Sequence, residues 1–189
     1  LRHRHQFGLG LSVTCGVVSA LRRSGMGFNP IEDFIQTDAA VNPGGSGGAL
    51  VDAAGRLVGM VSAIFTKQSD ADIGVNFATS MPLLLRVVSD LKTHGRVIRG
   101  QAGLSAAMLP PSLAEHGAGV LVESVAPDGP ALKAGLEAGD VITGLDTARI
   151  ASPERFAAMM FMKRPGETVT LSVLRGSEPR SIAIVLGGM

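Results

Sequence analysis

The chain has 189 residues, enough for one or two domains and for a core burying roughly 70% of the unfolded surface without staples. Lys plus Arg is 17 and Asp plus Glu is 16, a net of +1 that argues against a nucleic-acid binder with its basic excess, and with no Trp, no Tyr and seven Phe, base-stacking platforms are scarce too. One cysteine, Cys15, excludes a disulfide framework and a multi-Cys metal site, and no apolar run reaches the roughly 18 residues of a membrane helix.

The chain opens Leu1-Arg2-His3-Arg4-His5, without a Met or the apolar stretch of a signal peptide, and reads as cut from something longer. Strands come first. Leu11 to Leu21 is rich in Val, Thr and Ser and ends at the turn signal Arg22-Arg23-Ser24-Gly25. Phe34–Thr37 is short and apolar. Ala49-Leu50-Val51 and Leu57–Val61 flank Asp52-Ala53-Ala54-Gly55, a hairpin connection. Ile73–Ala78 is a further strand. A helix follows, with Ser80 as N-cap, Pro82 in its first turn, Leu84, Val87, Val88 and Leu91 at helical spacing, and Gly95 as its stop. The basic stretch 92–100 reads as a linker between a segment 1–91 and a segment 101–189.

In the second segment, strands are expected near 119–124, 141–145, 169–174 and 182–186. Two helical pieces interrupt them: Pro130–Ala134, and one entered at Ser152-Pro153-Glu154 that carries Phe156, Met159 and Met160. This order gives a small α+β or partly open barrel module.

The most informative stretch is Gln36 to Leu50, in which Ser46 stands between Gly44-Gly45 and Gly47-Gly48 after Asn42-Pro43. Fixing so many glycines costs backbone entropy. They suit either a Gly-rich surface loop or a backbone that aims its N–H groups at charge developing on a carbonyl oxygen. Gly44-x-Ser46-x-Gly48 also satisfies the nucleophile elbow, but that motif must enter a helix, and Ala49-Leu50-Val51 runs straight into a turn.

Residues Phe34–Val51 resemble the active-site segment of the HtrA/Deg family of trypsin-fold serine endopeptidases, F-I-Q-T-D-A-A-I-N-x-G-N-S-G-G-A-L-V. Phe7–Gly10, Ser12–Ala20 and Gly55–Ile64 resemble the family's flanking strands, and Pro130-Ala131…Gly139-Asp140-Val141-Ile142 resembles its PDZ domain. The resemblance implies a mainly β fold: a partial C-terminal barrel of a trypsin-like protease, then an α+β PDZ domain. It makes Ser46 the nucleophile and the backbone N–H groups of Gly44 and Ser46 the oxyanion hole. It places Val41, Ser62, Ala63 and Ile64 at a substrate pocket suited to small or medium apolar side chains. The implied function is hydrolysis of unfolded polypeptides through an acyl-enzyme. It also implies a trimer-based homo-oligomer, a periplasmic or cell-envelope location, and neither cofactor nor metal.

A serine hydroxyl needs a base. Only 45 residues precede Ser46, and the family's His and Asp motifs are absent from them. Asp38 reads as structural. Asp90 and His94, four apart, read as a helix-end pair and not as catalytic residues. This chain alone is therefore expected to be inactive. Gly45 stands where the family has Asn, and Ala78-Thr79-Ser80 departs from its apolar-Pro pair. PDZ domains capture extended peptides and their terminal carboxylates at a sheet edge. The carboxylate loop here is Ala102, Gly103 and Leu104, with Gln101 in place of the usual aromatic, so protein C-termini are the second expected partner. The alternative is a non-catalytic PDZ peptide-binding protein on a degenerate protease scaffold.

Overall fold

A computed structural model describes residues 13–41, 44–64 and 74–188; the side chains of residues 63, 64 and 114–116 lie outside this description. The chain divides into two units, Leu1–Thr93 and His94–Met189.

The first unit is an antiparallel sheet. Its strands are β1 (Val18–Arg23), β2 (Phe34–Thr37), β3 (Ala49–Val51), β4 (Leu57–Ile64) and β5 (Asn76–Ser80), in the spatial order β1-β2-β5-β4-β3. The central pair is the most buried, with Phe34, Ile35, Phe77 and Ala78 all inside. Phe28 closes over it, 6.1 Å from the Phe34 ring and 5.7 Å from Phe77. The loop carrying Phe28 folds around one carboxylate: buried Glu32 accepts from the N–H groups of Met26, Phe28 and Asn29 at 2.6, 2.7 and 3.0 Å. The β3–β4 hairpin is closed by Asp52, which accepts from Ala54 and Arg56 backbone N–H groups. The backbone hydrogen bond from Arg56, then its side chain, holds the Asp52 carboxyl below the usual range.

Helix α1 (Met81–His94) corrects one reading of the pattern. Its buried residues are Leu83, Arg86 and Asp90, whereas Val88 and Leu91 are about half exposed and Leu85 more so. Arg86 and Asp90 pair one turn apart, so two charges enter the interior together and each offsets the other's lost hydration. This removes Asp90 as a partner for His94, which is exposed. Ser80, expected as a simple cap, donates its hydroxyl to Asp33 at 2.6 Å. The helix stops at Gly95, whose φ of +68° is the left-handed value glycine supplies.

The second unit is a sheet ordered β11-β10-β8-β7-β6, with β9 paired to β8. The strands are β6 (Leu104–Met108), β7 (Val120–Val125), β8 (Val141–Leu145), β9 (Ala148–Arg149), β10 (Thr168–Arg175) and β11 (Glu178–Val185). Strand β6 lies outside every expected segment: its Leu-Ser-Ala-Ala-Met run has weak β preference and is held by pairing with β7. Helices α2 (Pro130–Lys133) and α3 (Pro153–Phe161) complete the unit, and Ser152 caps α3 by accepting from Arg155 N–H. The core joins Val120, Val122, Leu136, Ile142, Leu145, Phe156, Val169, Leu171 and Ile184. Phe156 belongs to that core, while Met159 and Met160 pack partly buried against it.

Candidate active site and peptide groove

Ser46 is exposed on the turn between β2 and β3. Five side-chain hydrogen bonds fix the segment that enters the turn. The Thr37 hydroxyl donates to Val17 O and accepts from Ala39 N–H. Asp38 accepts from Val17 N–H at 2.7 Å, a backbone-anchoring role. Thr14 donates to Ala40 O at 2.8 Å, and buried Asn76 donates to Ala39 O at 3.0 Å. Gly16 lies so close that a Cβ there would meet Ala39 N and Asp38 Oδ1 at 2.3 Å. Asn42 and Pro43 lie outside the described residues.

Beyond the serine the backbone is tied to β4. Gly47 N–H donates to Val61 O at 2.8 Å, Val61 N–H returns to Gly48 O, and Gly48 N–H closes on Gly45 O at 2.9 Å. Gly44 and Gly47 both hold positive φ, +97° and +86°. Among the described residues the Gly44 and Ser46 N–H groups have no internal acceptor. The chain then enters strand β3, so the strand–turn–helix of an elbow is not formed.

Of the expected pocket residues, Val41 is buried beside the turn, and Ser62-Ala63-Ile64 ends β4. The β4–β5 register slips between Val61 and Ala63, which makes Ser62 the bulge. Its hydroxyl donates to Phe77 O and accepts from Thr79, so it faces strand β5.

In the second unit, β6 is an edge strand, paired only with β7, and α3 packs alongside it. Ahead of β6, Ala102 O accepts from Ala131 N–H and Gly103 O from Ala126 N–H, both at 2.8 Å. Both carbonyls are thus engaged inside the unit, and Gly103 holds φ +72°. Ala102 is buried and Leu104 partly so, both against the core. The sequence pattern missed this edge strand.

The turn before β8 is clamped by one guanidinium. Arg175 donates to both Asp140 oxygens at 2.7 and 2.9 Å, to Glu137 and to Gly135 O. Burial pushes the Asp140 carboxyl up, but hydrogen bonds from Arg175 and Glu137 N–H, with the charges of Arg175 and Arg180, hold it below the usual range. Lys163, by its hydrogen bond, lowers Asp146 in the same way. Among the described residues no three of His, Cys, Asp and Glu gather as metal ligands, and no helix is long and apolar enough to cross a membrane.

Residues 3–60 match the trypsin-like peptidase domain family and residues 71–186 the PDZ domain family. The PDZ match starts upstream of the second unit, yet β5 pairs with β2 and β4 and belongs to the first sheet. The chain is 39% identical over 185 residues to the periplasmic serine endoprotease DegP of Escherichia coli (strain K12), covering 95% of this chain and 39% of that protein. It is 40% identical over 191 residues to the probable periplasmic serine endoprotease DegP-like of Brucella suis biovar 1 (strain 1330), covering 97% of this chain and 36% of that protein. It therefore spans well under half the length of these relatives. Among solved structures, the HtrA-type protease AlgW with a tripeptide matches at a TM-score of 0.73 and 43% identity, over 97% of this chain and 62% of that one. With a decapeptide, AlgW matches at 0.71 and 42%, over 97% and 57%. An exposed serine between paired glycines on an antiparallel sheet, followed by a unit with β6 at its sheet edge, agrees with both family matches and these relatives, which place the chain in the HtrA/Deg family of trypsin-fold serine proteases with a PDZ domain.

Proposed function

We propose that this chain is the nucleophile-bearing and peptide-capturing part of a serine endopeptidase that acts on unfolded polypeptides through an acyl-enzyme on Ser46. The observation that carries this is the Ser46 turn: Gly47 and Gly48 spend their N–H groups on Val61 and Gly45, while those of Gly44 and Ser46 stay available for an oxyanion. Val41, Ser62, Ala63 and Ile64 bound a pocket for small or medium apolar side chains. Ala102, Gly103 and Leu104 receive a terminal carboxylate while the peptide adds as a strand on β6. The names of the relatives support a periplasmic or cell-envelope location, and the family supports a trimer-based assembly.

In this reading none of His3, His5, His94 and His116 serves as the general base, and the chain alone is expected not to cleave protein. Loss of one triad member costs on the order of 10⁴–10⁶ in kcat in a serine protease. The test has two arms. The purified chain, given unfolded casein and a fluorophosphonate, shows neither cleavage nor labelling at Ser46. The same chain, extended in frame through upstream His- and Asp-bearing segments, cleaves casein, and Ser46→Ala abolishes it. Labelling of the short chain would reveal an internal base. An upstream frame without those segments would leave the binding-only reading.

A further inference from the structure

Fully buried polar side chains are costly unless their hydrogen bonds have a purpose, and Asn76 is one of the few in the first unit. It sits where three strand ends meet: its Cα pairs with Thr37, the last residue of β2, and with Ile64, the last of β4. One strand end leads into the Ser46 turn and the other carries the proposed pocket residues. From between them, the Asn76 amide donates to Ala39 O at 3.0 Å, 37 residues away in sequence.

That bond falls at a critical place. Ala39 and Ala40 have no side-chain polar group with which to fix their own peptide planes, and strand pairing of β2 ends at Thr37. Beyond it, side chains reach in to Ala39 N–H, Ala39 O and Ala40 O. Thr14 takes Ala40 O from an exposed position, where water competes. Asn76 takes Ala39 O in full burial, where its amide cannot trade partners with solvent. We infer that Asn76 is a positioning residue: through the Ala39 carbonyl it fixes the heading of the chain into Val41 and the Gly44–Gly48 turn, and so couples the proposed pocket strand to the oxyanion donors. This rests on the reading of Ser46 as nucleophile for its functional meaning, though not for its geometry.

Hydrogen–deuterium exchange by mass spectrometry on the full 189-residue chain tests it, comparing wild type with Asn76→Asp and Asn76→Ser. The Asp side chain keeps the size and removes the donor. Its ionised oxygen faces the Ala39 carbonyl, and when protonated it donates again. Asp38, one residue beyond the end of β2, is engaged by Val17 N–H. At neutral pH, Asn76→Asp should exchange about tenfold faster across residues 39–48, with β2 and β5 amides little changed. After correction for intrinsic rates, protection should return as the pH falls to about 5. A role in packing alone would not produce that recovery. Asn76→Ser, too short to reach Ala39 O, should loosen the same residues at every pH, and it decides the matter if the Asp variant does not fold. The inference is overturned if 39–48 exchange as in wild type in Asn76→Ser, or if either variant loosens the whole first sheet evenly. Failure of Ser46 to react in the extended protein, with these exchange effects intact, would refute the nucleophile reading alone.

Discussion

Replacing Asp140 with Ala should be among the most damaging single changes in the second unit. The carboxylate is 1% exposed and accepts three hydrogen bonds, two from the Arg175 guanidinium and one from Glu137 N–H at 3.0 Å. Breaking a buried charge pair costs about 3–5 kcal/mol. The low end applies, because Arg175 keeps Glu137 and Gly135 O and is 24% exposed, so water can serve its freed donors. At about 4–8 °C per kcal/mol for a domain this small, a loss of about 3 kcal/mol lowers Tm by about 12–24 °C. The pH dependence has a definite sign. Since the folded carboxyl is held below its ordinary range, its contribution is complete above about pH 4 and is lost as the pH falls through the folded value. The gap between wild type and variant therefore narrows in acid. Circular dichroism melts of residues 94–189 at neutral pH and near pH 2 measure both effects. A gap below about 4 °C at neutral pH, or one unchanged in acid, would refute the clamp.

Residues 94–189 should bind a Val-ending peptide with Kd in the tens to hundreds of micromolar, roughly 5–6 kcal/mol. Equal affinity for its C-terminal amide would exclude carboxylate capture. Gly103→Val should abolish that binding while the unit still melts cooperatively, since φ +72° is strained for a branched residue; titration followed by amide NMR reads both. Gly16→Ala drives a Cβ to 2.3 Å from Ala39 N and should cost the first unit about 3 kcal/mol, visible as faster amide exchange across 37–41. Unchanged exchange there would mean that Gly16 does not lie against this segment.

Much of the fold was legible because local chemistry and final structure agree. Phe34–Thr37, Ala49–Val51 and Val141–Leu145 are strands where the pattern put them, and Ser152 and Gly95 bound helices as their chemistry requires. What could not be read depends on partners distant in sequence. Strand β6 is made by β7, not by its own residues. The α1 stripe of Val88 and Leu91 imitates a buried face, but the helix turns Leu83, Arg86 and Asp90 inward, a choice set by what the helix packs against. The glycines around Ser46 drew attention to it, and the resemblance of Phe34–Val51 to the family's segment gave it its expected role. Asn76 did not stand out, because nothing near it in sequence signals a bond to Ala39.

The loop closed on Glu32 has a consequence for how this segment can change over generations. Its shape is stored in one side chain and the main chain of Met26, Phe28 and Asn29, not in the side chains of Met26 or Asn29. Main-chain donors are present whatever residue carries them, proline excepted. Met26 and Asn29 are thus open to drift at constant geometry, whereas Glu32 is bound to its acid and Phe28 to its ring by the aromatic contacts beneath it. In a library randomised over 26–32, survivors should keep an acid at 32, an aromatic at 28 and the glycine at 27, whose φ is +83°, while positions 26 and 29 diversify, leaving a surface whose side-chain chemistry can be rewritten without refolding the backbone beneath.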